Sequence, residues 1–314
     1  MKISVVIPAY NAERCIARAI RSVLAQTRPA KEIVVVDDGS TDGTAEAVRA
    51  FGDAVRLIQQ PNAGASVARN TGIEAAIGDW IAFIDADDEW LPQKLQLQAV
   101  FHQQYSNLKW SYTRLERAHP QWKTHRLSHP DSVAESRVFE DYLDAYCKGF
   151  YISTITVMVH RSVFDIIGMF EPGMKRAQDS DMWFRTAYRF PQVGYIPQSL
   201  AVYHLDTPNS STKINDRVDF MVDHIERHRK LSQTFNRDKA FAPCITMMLQ
   251  VWIRQLLKQK RRHDALVLLK RYASFLSGRF RREIAFRLSV PWLGPRIADA
   301  VEELKIRRRN QWSS

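Results

Sequence analysis

Trp80-Ile81-Ala82-Phe83-Ile84 runs directly into Asp85-Ala86-Asp87-Asp88. A short, unbroken apolar run of this kind reads as a strand buried on both faces, as in the middle of a parallel sheet. Carboxylates crowded at its end repel one another unless a cation or hydrogen-bond donors compensate. Hard divalent ions favour such oxygen ligands and often bridge them to phosphates. The competing reading is a solvated acidic turn that caps a helix near Leu91-Pro92. The upstream sequence tips the balance towards ligand binding. Ile3–Ile7 is a β-branched run ended by Pro8, Lys31–Val36 is another closed by Asp37-Asp38-Gly39-Ser40, and Val55–Gln59 reads as a third strand. Between these runs lie helical patterns. Glu13–Gln26 aligns Ile16, Ala19, Ile20, Val23 and Leu24 on one face, Thr41–Phe51 has Thr41 or Asp42 as a cap, and Ser66–Ala76 follows. Strands alternating with helices predict an α/β, mainly parallel sheet flanked by helices, in which ligands bind outside the carboxyl ends of the strands. Pro8-Ala9-Tyr10-Asn11, Asp37–Ser40 and Asp85–Asp88 all fall at such ends.

Each motif has a functional and a structural reading. Asp38 in its tight turn can accept from a base N–H or a ribose hydroxyl, or the turn is a plain Asp-Gly corner capped by Ser40 or Thr41. Pro61-Asn62-Ala63-Gly64-Ala65-Ser66 brings a helix N-terminus and Arg69 to the same edge, suited to an anion or simply an N-capped helix. Beyond about residue 91 the pattern is less regular, with Thr154–His160 and Ser199–His204 as strands and Ser162–Gly168 and Asp179–Arg189 as helices. Asp179-Ser180-Asp181 starts the last of these helices, where a carboxylate serves as a general base or as an N-cap. His204, at the end of its strand, is a metal or phosphate contact or a structural histidine.

The chain has 314 residues, 45% hydrophobic and 25% charged, which excludes a disordered or fibrous protein. Cys15, Cys147 and Cys244 are too widely spaced for a disulfide framework or a cysteine zinc site, so a reducing compartment is expected. The N-terminal apolar run is too short for a signal peptide, and no window reaches the roughly 20 uninterrupted apolar residues of a membrane span. These features predict a cytoplasmic protein. The net charge of +11 is segregated: residues 240–314 hold 16 Lys+Arg against 5 Asp+Glu, and residues 1–239 are neutral. Such a tail points to an anionic partner, with lipid ahead of nucleic acid because no nucleic-acid-binding module accompanies the charge.

Taken together, the segments resemble family 2 glycosyltransferases of the GT-A fold. The likeness rests on Ser4–Asn11, Val36–Asp42, Asn62-Ala63-Gly64 with Ala68–Gly72, and Phe83–Trp90, in the family's order and spacing over about the first 95 residues. A weaker likeness extends through Asp179–Arg185 to about residue 212. The resemblance implies transfer of a sugar from a nucleotide-diphosphate donor, with a UDP-sugar expected, to a glycan or lipid-linked acceptor in cell-surface polysaccharide synthesis, by direct displacement with inversion. It implies that Pro8 and Tyr10 line the nucleoside pocket and that Asp38 holds the base. Asp85 sits near the ribose and metal, Asp87 ligates Mg²⁺ or Mn²⁺, and Asp179 deprotonates the acceptor. The chain departs from the family in having Gln178 before Asp179 and Tyr203-His204-Leu205-Asp206 where Tyr-Arg-x-His is usual.

The expected organisation is a catalytic domain over residues 1–215, with a nucleotide half (1–100) and an acceptor half (101–215), followed by a basic amphipathic helical extension over 216–314. Within that extension, residues 243–276 read as stripes that bury one another, and 279–312 as a membrane-facing segment, with Pro291-Trp292-Leu293 and Lys305–Arg309 mixing basic and apolar side chains. Two rival functions fit the sequence less well. A sugar nucleotidyltransferase would open with a Gly-rich phosphate loop where this chain has Pro8-Ala9-Tyr10-Asn11, and a non-catalytic nucleotide-binding scaffold would not need Asp38, Asp85, Asp87 and Asp179 together.

Overall fold

The computed structural model describes residues 1–119, 121, 126–127, 135–174, 176–205 and 218–289. Pro291-Trp292-Leu293, Lys305–Arg309 and the sequence likeness beyond Leu205 therefore lie outside the described residues.

β1 (Ile3–Ala9) is buried along its whole length, as expected of a strand covered on both faces. It pairs in parallel with β2 (Glu32–Asp37) on one side and β4 (Trp80–Phe83) on the other, and β3 (Arg56–Gln59) extends the parallel set beside β2. α1 (Ile16–Leu24) and α2 (Thr44–Arg49) follow β1 and β2, and α3 (Ala65–Ala75) precedes β4. Ile16, Ala19, Ile20 and Val23 pack with Ile3, Val5, Ile7, Ile33 and Val35 on one face of the sheet. Val34 and Val36 meet Ala68 of α3 on the other. The nucleotide half thus has the expected alternation and parallel order.

Beyond β4 the sheet is mixed. After the two-residue β5 (Glu89–Trp90) and α4 (Lys94–Gln104) come β6 (Trp110–Ala118), the short β7 (Arg126–Leu127) and β8 (Arg137–Phe139), α5 (Tyr142–Cys147), β9 (Val157–His160), α6 (Ser162–Ile167), α7 (Gln178–Arg189) and β10 (Val193–His204). The strand order is β3-β2-β1-β4-β9-β6-β10-β5. β9 runs antiparallel to both β4 and β6, whereas β6 and β10 are parallel. The expected strand over Thr154–His160 is a short 3₁₀ turn followed by β9, and the strand expected from Ser199 begins six residues earlier.

The chain divides into two compact units. One comprises Met1–Asn215 with Arg227–Arg237, the other Asp216–Glu226 with Asp238–Ser314. α8 (Val218–Thr234) contributes residues to both. In the second unit, α9 (Asp238–Lys258) buries Phe241, Ile245, Met248, Leu249, Ile253 and Leu256. α10 (Arg262–Arg271) buries Ala265 and Leu268, and α11 (Gly278–Ser289) follows. α9 is also long and apolar enough to cross a membrane by length and composition, although Gln250 and Arg254 interrupt its apolar run. Its Ile, Met and Leu stripe is nevertheless used within its own unit.

Candidate active site

The loops after β1, β2 and β4 close around a cleft of about 630 Å³ lined by Pro8, Tyr10, Asp38, Arg69, Asp85 and Asp87, among others. Six of the expected site residues therefore share one cavity. Two loops are sewn together at its rim. Asn11 sits in the left-handed region at φ 49° and accepts from Thr41 N at 2.8 Å, while its own N–H donates to Ser40 Oγ at 2.9 Å. Ala12 N donates to Thr44 Oγ1 at 2.8 Å and Glu13 N to Asp42 Oδ2 at 3.2 Å. These bonds hold Tyr10, 50% exposed, at the mouth of the cleft, where its ring offers a stacking face.

Asp38 is buried and saturated on one oxygen. Gln60 Nε2 and Ala63 N donate to Oδ1 at 2.7 and 2.9 Å, and Gly64 N to Oδ2 at 2.8 Å. A carboxylate offers about four acceptor positions, so one remains on Oδ2 for a ligand N–H or hydroxyl. Gly39 makes the approach possible: its φ is +75°, and a Cβ there would stand 2.7 Å from Asn62 N. The neighbouring Asp37 has a different task, accepting from Ser40 N at 3.0 Å and so closing the turn.

Arg69 is the centre of the charged groups. Its buried Nη2 donates to Asp85 Oδ1 at 2.7 Å, and Nη1 stands 3.9 Å from Asp179 Oδ1. Burial alone would lower the guanidinium pKa, but Asp85 and Asp179 outweigh it and hold Arg69 charged. Its Cζ lies 5.4 Å from the centre of the Phe170 ring, and Phe170 is fixed by Asn70, whose amide donates to Phe170 O and accepts from Phe170 N at 2.8 and 2.9 Å. Asp179 itself lies in the first turn of α7 but does not cap it. Its Oδ2 accepts from Thr154 N at 3.2 Å, and Ala177, at φ 56°, starts the helix. Asp181 is likewise no free carboxylate. It is wholly buried between Arg185, Arg227 and His228, and these groups outweigh its burial and hold it below the usual range.

The acidic turn after β4 is not a helix cap either, since it leads into β5 and α4 begins only at Lys94. Asp87 lines the cleft, and its backbone carbonyl accepts from Arg18. Asp88 points inward and accepts from His204 N at 3.0 Å. Burial, with Asp85 and Asp87 nearby, pushes its carboxyl well above the usual range, and its Oδ2 has no hydrogen-bond partner among the described residues. His204 stands apart from the cleft lining: its Nε2 is 3.5 Å from Glu89 Oε2, and Tyr203 takes the lining position. Sequence reasoning missed Tyr203, Glu13 and Arg14 as lining residues. Glu13 and Arg14 follow Tyr10-Asn11 so closely that the polar strand end itself was the available signal. Among the described residues, no group of three or more His, Cys, Asp or Glu side chains is arranged to hold a metal.

The fold is of the GT-A class, with a likeness to Staphylococcus aureus TarS 1-349 crystallised with UDP-GlcNAc (TM-score 0.60, 18% identity, 88% of this chain and 74% of that one). The family model "Glycosyl transferase family 2" matches residues 4–166, and the chain belongs to that family. It is 30% identical over 241 residues to TuaG of Bacillus subtilis (strain 168), a glycosyltransferase named for teichuronic acid biosynthesis, covering 74% of this chain and 92% of that one. A second relative is the Escherichia coli UDP-Glc:alpha-D-GlcNAc-diphosphoundecaprenol beta-1,3-glucosyltransferase WfgD, 44% identical over 98 residues (31% of this chain, 39% of that one). The match to the uncharacterized glycosyltransferase YibD of Escherichia coli (strain K12) is 49% over 94 residues and spans 27% of that protein's length.

Proposed function

We propose that the protein is an inverting glycosyltransferase that moves a sugar from a UDP-sugar to a glycan or lipid-linked acceptor during cell-surface polysaccharide synthesis. The observation that carries this reading is the guanidinium of Arg69 shared between Asp85 of the cleft and Asp179 at the start of α7. One rigid group thereby sets the acceptor-side carboxylate beside the donor cleft. The choice of uridine is supported by the names of two similar proteins, WfgD with its UDP-Glc donor and TarS solved with UDP-GlcNAc. A lipid-linked acceptor is supported by WfgD and polysaccharide synthesis by TuaG.

Tyr10 and Pro8 receive the nucleoside, and Asp38 uses its remaining acceptor position on the base. Asp179 takes the acceptor hydroxyl proton as that oxygen attacks the anomeric carbon and the carbon–oxygen bond to the diphosphate breaks. Thr154 N keeps the carboxylate oriented for this step. Mg²⁺ or Mn²⁺ fits the acidic turn. Asp87 faces the cleft with Asp85 beside it, so two carboxylates line the same wall of the cavity. Asp87 would hold the cation, aided by Asp85. Such ions take one or two carboxylates plus substrate phosphates, and when bound the cation neutralises charge on the departing diphosphate. His204, engaged at Glu89 and Asp88, then orders the turn rather than the ligand. We place the enzyme in the cytoplasm, at the inner face of a membrane that its basic helices contact.

The test is titration of UDP with and without Mn²⁺, on wild type and Asp87→Ala, followed by turnover with Asp179→Asn. We expect metal-dependent UDP binding that Asp87→Ala loses by tenfold or more. Asp179→Asn should bind UDP normally and lose at least 10²-fold in kcat, within the range for a positioned general base. Absence of UDP, GDP and dTDP binding would overturn the glycosyltransferase reading, and full activity of Asp179→Asn would remove that residue from the mechanism.

A further inference from the structure

We infer that Arg227 is a positioning residue for the acceptor-side carboxylate, although it lies in sequence outside the expected catalytic domain. This inference rests on the reading of Asp179 as the base. The geometry is a closed circuit. Arg227 Nε reaches Asp181 Oδ1 at 2.6 Å, and its Nη2 reaches Glu171 Oε2 at 2.7 Å. Asp181 is in the same first turn of α7 as Asp179. Glu171 follows Phe170, whose ring faces Arg69 and whose backbone is clasped by Asn70. Arg69 in turn stands 3.9 Å from Asp179. Arg227 thus ties the support of Arg69 to the turn that carries Asp179, and the two ends of the circuit meet at the base.

A second arginine shows that this loop-to-helix seam is built rather than incidental. Arg185 of α7 binds Asp181 through Nε at 2.8 Å and donates to Ile167 O and Met169 O, each at 2.8 Å. The loop before Glu171 is therefore pinned to α7 independently of Arg227. Two consequences separate positioning from bulk stability. Loss of Arg227 leaves buried Asp181 paired with Arg185, so the fold should survive. The circuit, however, loses its link between Glu171 and the first turn of α7. Charge-assisted forks of this type fix orientation as well as contributing energy. Misplacing a reacting group by about 1 Å costs on the order of 10²-fold in rate.

The experiment compares Arg227→Met, Arg227→Lys and Glu171→Gln with wild type in the full chain, measuring UDP affinity, donor KM, kcat and thermal unfolding. Asp179→Asn serves as the reference. We expect Arg227→Met to lower kcat by tenfold or more with UDP affinity within twofold of wild type. Arg227→Lys, which keeps the charge but not the fork, should recover part of that loss. Glu171→Gln, at a half-exposed site, should give a smaller loss in the same parameter. Unchanged kcat in Arg227→Met alongside an inactive Asp179→Asn would overturn the positioning role and leave the base intact. Parallel losses of UDP affinity and unfolding temperature would make Arg227 merely structural. If Arg227→Met does not fold, Glu171→Gln decides, and wild-type kcat there overturns the inference. An active Asp179→Asn would instead locate the error in the underlying reading.

Discussion

Lys94 carries a cost that the rest of the protein must offset. It is fully buried, its Nζ donating to Gln98 Oε1 at 2.8 Å and lying 4.1 Å from the centre of the Trp90 ring. The ring face and one amide oxygen do not replace water around an ammonium, so burial pushes the Lys94 pKa well below its ordinary 10.5. The sign of the effect on stability follows. Between the folded value and 10.5 the unfolded chain holds a proton that the folded chain lacks. Stability therefore rises with pH across that window, by at most about 1.4 kcal/mol per unit. Below the folded value both states are protonated and this slope vanishes. Lys94→Met keeps the length and removes the titration, at the cost of one unsatisfied amide acceptor, about 1 kcal/mol. Denaturant unfolding from pH 7 to 10 should show the wild type gaining on the variant as pH rises. Parallel curves would mean that Lys94 stays protonated in the fold.

The same helix explains why part of the fold was not legible in the sequence. α4 presents Lys94, Gln98 and His102, spaced four apart, to the interior, where Gln98 Nε2 donates to Ser111 O and Thr156 O and His102 Nε2 meets Ser111 Oγ at 2.9 Å. A buried stripe made of polar side chains has no apolar periodicity to find, and its partner β6, with Ser111 and Thr113 inside, lacks the expected alternation for the same reason. Only the second half of β10, from Ser199, carries a clear strand pattern, since Pro197 interrupts the first. Here it falls where the register with β6 shifts between Ile196 and Ser199, so no ladder bond is lost. The nucleotide half was legible because β1, β2 and β4 have mostly apolar cores and its ligand-facing groups sit at strand ends. The cleft residues were recoverable for that reason, whereas the Arg227 circuit joins segments far apart in sequence. Packing between elements is testable at Gly72 of α3, where a Cβ would meet Val6 Cγ1 of β1 at 2.3 Å. Gly72→Ala overpacks this contact and should cost about 1–3 kcal/mol, read as a lowered unfolding temperature. UDP affinity should fall with it, because Ala68 and Arg69 line the cleft one turn earlier on the same helix. An unchanged unfolding temperature would show that α3 shifts on the sheet without penalty.

At the scale of the whole molecule, charge separates from chemistry. The carboxylates of the cleft lie in a stretch of zero net charge, and the entire +11 lies in residues 240–314. In the second unit the apolar stripe of α9 is buried, and basic side chains pair with acidic ones at Arg254–Glu283, 3.6 Å, and Arg261–Asp264, 2.6 Å. On α11, Phe280 and Ile284 are buried, while Phe286 is 56% exposed, and Arg279, Arg281 and Arg282 of the same helix are exposed too. An exposed aromatic on an arginine-rich helix is an unfavourable surface in water and a favourable one against anionic lipid, where each basic residue near the surface contributes about 1 kcal/mol. An enzyme acting on lipid-linked acceptors would gain local substrate concentration from such contact. The full chain should therefore co-sediment with vesicles containing phosphatidylglycerol at low salt and release as salt rises through about 0.5 M, where the Debye length shrinks to a few ångströms. Phe286→Ala should weaken binding at every salt concentration, because it removes the apolar part. Arg281→Gln with Arg282→Gln should flatten the salt dependence, because it removes the ionic part. Equal binding to neutral phosphatidylcholine vesicles, or none to anionic ones at low salt, would return the basic face to the role of a solvated surface.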